Sequence, residues 1–413
     1  MRITRLGDTG WSVVALFAAF AFVSFSTAVI GPVLGQLDDE FGVSYASLGL
    51  IAGMQALGRG LAMIPAGRVA DRYPPRLLVS LGGVLMVLGS LASAAAPVYP
   101  ILVFGTAVIG VSMALIFTAG MAHLIRSAPT GERGRTMGRA MAGWGLGSLL
   151  APLAAGALAS AFGWRSVFIL AAVLSVVVVP LGLSIRGALP RPPELSPSEP
   201  QRRWALGLTR RLVPVVVVSA LIWGSGSAIM RLVLPLYGSE GAQLTPALIG
   251  GWLSLFAAVT FGLMLVSGTI LDRLGRLTVL MLAAIPGLLG GFVLLLPIGL
   301  LPFVLFGLTK AGIGFSMPLI PVLVADRSPP AHVGRSMGIV QFLTDIVNLT
   351  LPLALGALLD VSGFGAVGIF FVVAFAAAAI IGARVIAANP RQPSEAEPDT
   401  TVPAADPASP PVA

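Results

Sequence analysis

The chain has 413 residues, of which 56% are hydrophobic and only 10% are charged, and its mean hydropathy is +0.96. A soluble globular protein carries about 25% charged residues because its surface faces water, so this composition excludes a soluble enzyme and a nucleic-acid-binding module. The sequence has no cysteine and only two histidines, His123 and His332, which argues against a disulfide framework, a thiolate centre and a histidine metal site. No cofactor is therefore expected.

Twelve apolar stretches follow one another along the chain, and each has the roughly 20 residues that a helix needs to cross the hydrocarbon core of a bilayer. They lie at 11–34, 47–66, 77–96, 99–124, 136–160, 165–186, 212–236, 245–267, 277–297, 300–324, 336–358 and 365–387. The predicted fold class is an all-α polytopic membrane protein, with twelve transmembrane helices arranged as two pseudo-symmetric six-helix bundles.

The basic residues predict how these helices cross the membrane. The loops that follow the even-numbered stretches contain Arg72, Arg135, Arg276 and Arg327, whereas the opposite loops contain a single basic residue, Arg165. Cytoplasmic loops are enriched in Lys and Arg, so both termini are predicted to be cytoplasmic, in a multi-pass protein of the cytoplasmic (inner) membrane. The net charge of +8 then reflects orientation in the lipid bilayer, and no nucleic-acid partner is expected.

Short sequence matches recur at a fixed spacing, which indicates an internal duplication. The segment GRTMG at 134–138 recurs as GRSMG at 334–338, and PLAAGAL at 152–158 recurs as PLALGAL at 352–358, in both cases 200 residues later. Transporters built from repeats bind substrate at the repeat interface, near the middle of the bilayer. The predicted domains are an N-terminal six-helix bundle at 1–186, a Pro-rich cytoplasmic linker at 187–211, a C-terminal six-helix bundle at 212–387 and a disordered cytoplasmic tail at 388–413.

A third match carries a charged motif on the predicted cytoplasmic side. The box Gly-x-x-x-Asp-Arg occurs twice, 201 residues apart, and its defining residues are Gly67, Asp71, Arg72, Gly268, Asp272 and Arg273. Because Gly67 and Gly268 lack side chains, another helix can lie close at both positions. Together with the duplicated six-helix layout and the polar linker, this box resembles the major facilitator superfamily over roughly residues 11–387.

The resemblance implies secondary transport by alternating access, with the Asp and Arg of each box acting as a conformational latch on the cytoplasmic side. One chain of this kind forms a complete pathway, so a functional monomer is expected. The match departs from the family pattern at Pro74, where the first box has lost a glycine, and at Thr106, which occupies the place of an arginine in the fourth span. Ala151 and Ala155 replace two glycines of the pattern found in the family's antiporters.

Four ionisable residues lie inside predicted helices, where each costs about 2.5–3.5 kcal/mol or more and so needs a reason. They are Arg59, Arg231, Lys310 and Asp345. The repeat does not duplicate them, which favours a role in function over a role in the scaffold. The three cations are predicted to bind substrate, and their excess over one carboxylate suits an anionic group on the cargo. For Arg231, pairing with Glu240 near the outer end of the helix is the alternative.

Lys310 and Asp345 are predicted to form a pair on neighbouring helices that a proton or the cargo breaks, with Asp345 as the proton-coupling residue. A static ion pair is the structural alternative. Gln341, Asp345 and Asn348 follow one another at i, i+4 and i+7, which places them on one face of a helix. Gln341 and Asn348 are therefore also predicted to bind substrate.

These features predict a secondary active transporter. An enzyme is not expected, because the spans lack a Ser/His/Asp cluster and paired histidine ligands. No ATP-binding P-loop occurs, so an ion gradient, with protons as the expected partner, is predicted to drive a small organic solute. The alternative within the same fold is a proton-coupled exporter of multiple amphipathic drugs. A passive channel is disfavoured because the paired cytoplasmic boxes suit a rocking carrier.

Overall fold

The protein is helical throughout the part that the structure describes. The computed structural model describes residues 8–70, 72–127, 133–185, 212–328 and 333–388. Within these ranges every regular element is a helix, and nine helices are long and apolar enough to cross a membrane. Large apolar side chains such as Phe104, Leu265 and Val373 are mostly exposed on the outer surface, which suits contact with lipid. The predicted class, an all-α polytopic membrane protein, is confirmed.

The described residues contain eleven helices or continuous helical stretches, and a 3-10 turn at Gly31–Val33 joins the first two. In chain order they are α1 (Asp8–Ala28), α2 (Leu34–Phe41), α3 (Tyr45–Ala70), α4 (Pro75–Ala94), α5 (Tyr99–Ser127), α6 (Arg133–Phe162), α7 (Trp164–Ser184), α8 (Val213–Gly241), α9 (Pro246–Val293), α10 (Leu300–Ala325) and α11 (Val333–Ala387). The predicted linker at 187–211 and all but the first residue of the predicted tail at 388–413 lie outside the described residues. The domain boundaries therefore stay predictions.

Two helices are long enough to cross a bilayer twice. The helix α9 has 48 residues and α11 has 55, and each is interrupted by one glycine with a positive φ, Gly275 at 83° and Gly363 at 69°. Glycine adopts this conformation readily because it has no Cβ, so each of these residues divides its helix into two crossing segments. The predicted number of twelve crossing helices agrees with these breaks and stays a prediction, because α3 is not among the nine apolar spans of the described residues.

The two ends of the molecule differ in how the halves meet. We call the end that contains Tyr45 and Pro246 the sealed end, and the end that contains Ala70 and Ala387 the open end. At the sealed end, a side chain at Gly49 of α3 would collide with the Pro352 carbonyl of α11, and one at Gly250 of α9 would collide with the Pro152 carbonyl of α6. Small residues thus allow backbone contact between the halves in two seams, α3–α11 and α6–α9.

The sequence duplication accounts for the similarity of the two seams. Pro352 follows Pro152 by 200 residues, and Gly250 follows Gly49 by 201. The same relation holds one turn further toward the sealed end, where Gly356 lies against the backbone of α3 and Gly156 against the backbone of α9. Each half therefore contributes the same pair of helix surfaces, and each surface packs against the other member of the pair in the opposite half.

Side chains from one half also cap helices of the other half at the sealed end. The Asp360 carboxylate, near the middle of α11, accepts hydrogen bonds from the backbone N–H groups of Tyr45 at 2.8 Å and Ala46 at 3.1 Å. The Ser160 hydroxyl, near the end of α6, accepts one from the Ala247 N–H at 2.9 Å. The first N–H groups of a helix have no partner within the helix, so these two side chains satisfy α3 and α9 across the seams.

The halves are apart at the open end. A cluster of buried apolar residues runs without interruption from the C-terminal half into the sealed end of the N-terminal half, whereas a separate cluster fills the open end of the N-terminal half. A methyl group added at Gly67, Gly262 or Gly268 would meet no atom of the described residues within 4 Å. The close helix approach that Gly67 and Gly268 permit is therefore not made by the described residues in this conformation.

Replacing Gly250 with leucine is expected to prevent closure of the sealed end, because the new Cβ would meet the Pro152 carbonyl and would lie 3.0 Å from the Gly156 Cα. Overpacking of this kind costs about 1–3 kcal/mol, which is enough to shift the balance between conformations. Spin labels on cysteines introduced across the sealed end should then report longer distances.

The matched control is Gly262→Leu on the same helix, where a side chain meets open space among the described residues. The chain has no native cysteine to remove. If folded Gly250→Leu protein shows the same distances between the spin labels as the wild type, this contact is not required for closure of the sealed end.

Candidate functional site

A large cavity lies between the two halves. It has a volume of about 420 Å³ and is lined by residues of both halves. Its lining is mostly apolar: Trp144 of α6, Phe261 and Met264 of α9, and Met230 of α8 are among its residues. Two cationic side chains, Arg231 and Lys310, complete it. We call this the main cavity, and its position agrees with the repeat interface at which substrate binding was predicted.

Lys310 is the buried cation of the main cavity. It lies near the end of the first, α-helical part of α10, and only 9% of its surface is exposed. Its ammonium group makes no hydrogen bond or ion pair with the residues that the structure describes. A buried charge without a partner is unfavourable, so Lys310 is available to an anionic ligand in the cavity.

Arg231 also faces the main cavity, and the alternative of pairing with Glu240 is not realised. It lies in a π-helical turn of α8, Ile229–Val233, a distortion that is frequent at functional sites. Its Nη1 donates a hydrogen bond to Gln55 Oε1 of α3 at 2.7 Å. Arg231 therefore connects the two halves while it lines the cavity between them.

Arg59 and Asp345 form an ion pair across the α3–α11 seam. The side chain of Asp345 is 3% exposed and that of Arg59 is 21% exposed, so the pair is largely removed from water. The predicted pair of Lys310 with Asp345 is therefore wrong for this conformation, because Arg59 takes the carboxylate. At Gly53, on the sealed side of the ion pair, the backbones of α3 and α11 are in contact, whereas at Gly67, on the open side, no described atom is near. The ion pair therefore lies at the boundary between the closed and the open part of this seam.

A second, much smaller cavity adjoins this ion pair. It has a volume of about 20 Å³ and is lined by Gln55, Arg59, Asn348, Arg231, Ala56, Met113 and Ser227. We call it the small cavity. Its volume is too small for an organic solute, so substrate binding by Arg59 and Asn348, which the sequence predicts, is not favoured by this geometry. Gln341 is partly buried and lines neither of these two cavities.

The predicted latch residues lie at the open end. Arg72, Asp272 and Arg273 are exposed, and Asp71 lies outside the described residues. Nearby, Arg276 forms an ion pair with Asp326 and thereby joins α9 to α10 within one half. The defining box residues that the structure describes make no hydrogen bond or ion pair with the opposite half in this conformation. Their role as a latch stays a prediction.

Sequence reasoning did not identify the apolar side of the site. Trp144 lines the main cavity and packs edge-on against Phe117, with ring centroids 6.1 Å apart. On α6, Trp144, Ser148 and Pro152 all line the cavity, and their spacing of four residues is the signal that could have found them. Phe261 lies against Gly145 across the α6–α9 seam, where nothing in the sequence distinguishes it from a packing residue.

Comparison with known proteins agrees with this architecture. The family model described as Major Facilitator Superfamily matches residues 16–311. The multidrug transporter AQR1 of Candida glabrata is 30% identical over 163 residues, which cover 38% of this chain and 27% of that protein. The quinolone resistance protein NorB of Staphylococcus aureus is 27% identical over 182 residues, covering 43% of this chain and 38% of that protein. The chain thus spans well under half the length of these curated relatives.

Among solved structures, a bacterial homologue of the human lysosomal transporter Spinster, in an inward-facing and occupied conformation, has a similar fold. Its TM-score is 0.78 at 15% sequence identity, and the match covers 92% of this chain and 98% of that one. The chain therefore belongs to the Major Facilitator Superfamily.

Proposed function

We propose that this protein is a proton-coupled secondary transporter that exports amphipathic organic anions by alternating access. The observation that carries the proposal is the lining of the main cavity. There Lys310, which has no partner among the described residues, faces the aromatic and methionine side chains of Trp144, Phe261 and Met264. A cargo with an apolar body and one acidic group complements both parts. The flexible, polarisable methionine side chains suit cargoes of varied shape.

The charges of the main cavity support an anionic group on the cargo. Lys310 and Arg231 line the cavity, and no carboxylate is among the lining residues that the structure describes. Asp345 is occupied by Arg59 in the adjoining seam. Charge-assisted hydrogen bonds to a carboxylate or a related acid would therefore satisfy Lys310 without competition from an internal anion.

Export is supported by the names of two relatives, and the side on which the cavity opens is compatible with it. The relatives named above are a multidrug transporter and a quinolone resistance protein, and removal of a drug from the cell is a direct route to resistance. In addition, Arg273, Arg276, Arg327 and Arg384 lie at the open end of the molecule. By the positive-inside rule this end is cytoplasmic, so the main cavity accepts cargo from the cytoplasm in this conformation.

Proton coupling is assigned to Asp345. Protonation of this buried carboxylate would remove its attraction for Arg59. Among the described residues this pair is the only ionic contact between the halves near the main cavity, so protonation would release that contact. The protein is expected to act as a monomer in the cytoplasmic membrane, with both termini cytoplasmic, because each chain contains both halves of the pathway.

The test uses purified protein in liposomes and a quinolone probe with one carboxylate and no basic amine, nalidixic acid. With the liposome interior more acidic than the outside, proton antiport is expected to drive its accumulation inside, opposite to the passive distribution of a weak acid, and addition of an uncoupler should abolish that accumulation. The methyl ester of the same compound is the matched control for charge. If the ester accumulates as well as the acid, the cargo is not selected as an anion, and if neither responds to the pH gradient, proton coupling is wrong.

A further inference from the structure

The small cavity beside the Arg59–Asp345 ion pair carries an inference that rests on the proposed proton coupling. Four buried polar atoms in and around it have no hydrogen-bond partner among the described residues: Gln55 Nε2, Arg59 Nε, Asn348 Oδ1 and Asp345 Oδ2. Three of these residues line the cavity, and the fourth, Asp345, is bonded to two of them. Buried polar atoms in proteins nearly always have a partner, so this concentration at one place requires an explanation.

The number and kind of these atoms match one water molecule. Two of them are donors and two are acceptors, and a water molecule accepts two hydrogen bonds and donates two. The cavity volume of about 20 Å³ exceeds the roughly 10–15 Å³ that a single water needs. We propose that one water molecule occupies the small cavity and carries protons between the main cavity and Asp345.

Arg231 separates this water site from the main cavity. It lines both cavities, and its hydrogen bond to Gln55 Oε1 at 2.7 Å holds it at the boundary. An anionic cargo in the main cavity competes with Gln55 for the Arg231 guanidinium. When Arg231 turns toward the cargo, the two cavities join, and solvent in the main cavity reaches the water beside Asp345.

The proton transfer itself needs only groups already described. In the conformation open to the cytoplasm, a protonated Asp345, which no longer holds Arg59, gives its proton to the oxygen of the water in the small cavity, and that water releases one of its own protons to solvent in the main cavity. The carboxyl group becomes a carboxylate again and pairs with Arg59, which keeps its charge throughout. Cargo binding at Arg231 thus opens the proton path, so one hydrogen bond couples the two events.

Two substitutions with opposite expected effects test this inference. In Gln55→Ala the Arg231 side chain loses its partner and the small cavity widens. Proton flux into liposomes without cargo, measured with an entrapped pH-sensitive dye, should then rise about tenfold, because the loss of one hydrogen bond to a charged group corresponds to about that factor. In Asn348→Leu an apolar side chain replaces the amide and displaces the water, so accumulation of nalidixic acid driven by a pH gradient should be lost. Counterflow of nalidixic acid at equal pH should persist in both variants.

The controls separate this inference from the proposed function. Thr350→Leu makes a polar-to-leucine change at an exposed position of the same helix and should change neither measurement. Asn348→Ser keeps a polar group and leaves room for water, so it should restore accumulation. Asp345→Asn added to Gln55→Ala should abolish the leak. If Gln55→Ala shows no leak, or if Asn348→Leu stays coupled while Asp345→Asn does not, the water path is wrong although Asp345 remains the coupling residue.

Discussion

Replacing Lys310 with methionine is expected to weaken binding of nalidixic acid about 30-fold or more, because loss of one partner of a buried charge pair costs about 2–5 kcal/mol. Methionine nearly preserves the length and volume of the lysine stem, so the shape of the main cavity should change little. Isothermal titration or a ligand-induced thermal shift of the purified protein measures the effect.

The stability of the same variant distinguishes ligand binding from a structural role. Lys310 has no internal partner in the described residues, and replacement of a buried charge by an apolar side chain of similar volume is often neutral or stabilising. The unliganded variant should therefore unfold at the same temperature as the wild type or higher. Binding of the methyl ester should be unchanged, and an equal loss for acid and ester would contradict a charge-specific role.

Replacing Asp345 with asparagine is expected to abolish accumulation driven by a pH gradient and to preserve counterflow at equal pH. The amide cannot exchange a proton, whereas the main cavity, which Asp345 does not line, stays intact. Removal of one partner from a buried ion pair also leaves the other charge uncompensated and costs about 3–5 kcal/mol, so the variant should unfold at a lower temperature than the wild type.

The double variant Arg59→Met, Asp345→Asn provides the control for that loss of stability. It removes both charges together, so thermal stability should recover while coupling stays absent. Recovery of coupling along with stability would show that Asp345 is only a structural partner of Arg59 and would overturn its role as the proton site.

The sequence predicted the scaffold well because its signals are local or repetitive. Apolar length reports crossing helices directly, and the matches at 152–158 and 352–358 lie in the helices that form the two seams. The asymmetry of the buried charges also predicted a polar centre. Lys310 and Arg231 both line the main cavity, and this agrees with the prediction that buried cations face a central pathway. Their role in substrate binding stays a prediction.

The partners of these charges could not be predicted, because they depend on helix packing across the seam. Lys310 and Asp345 are close in sequence and lie on consecutive crossing segments, which favoured their pairing. In the structure, Arg59, which is 286 residues away from Asp345, takes that carboxylate. Periodicity along a helix identifies a polar face, but it does not tell which neighbour that face meets, and for the same reason it placed Gln341 with the cavity residues.

The two caps at the sealed end are unequal in a way that bears on how the protein moves. Exposure to the outside requires that Asp360 leave the start of α3 and that Ser160 leave the start of α9. A neutral hydroxyl is readily replaced by water, whereas a carboxylate that faces the positive pole of a helix is held more firmly. The α3–α11 seam also contains the Arg59–Asp345 pair. Motion toward the outward-facing state should therefore begin with separation of the α6–α9 seam, while the α3–α11 seam stays in contact and acts as the hinge.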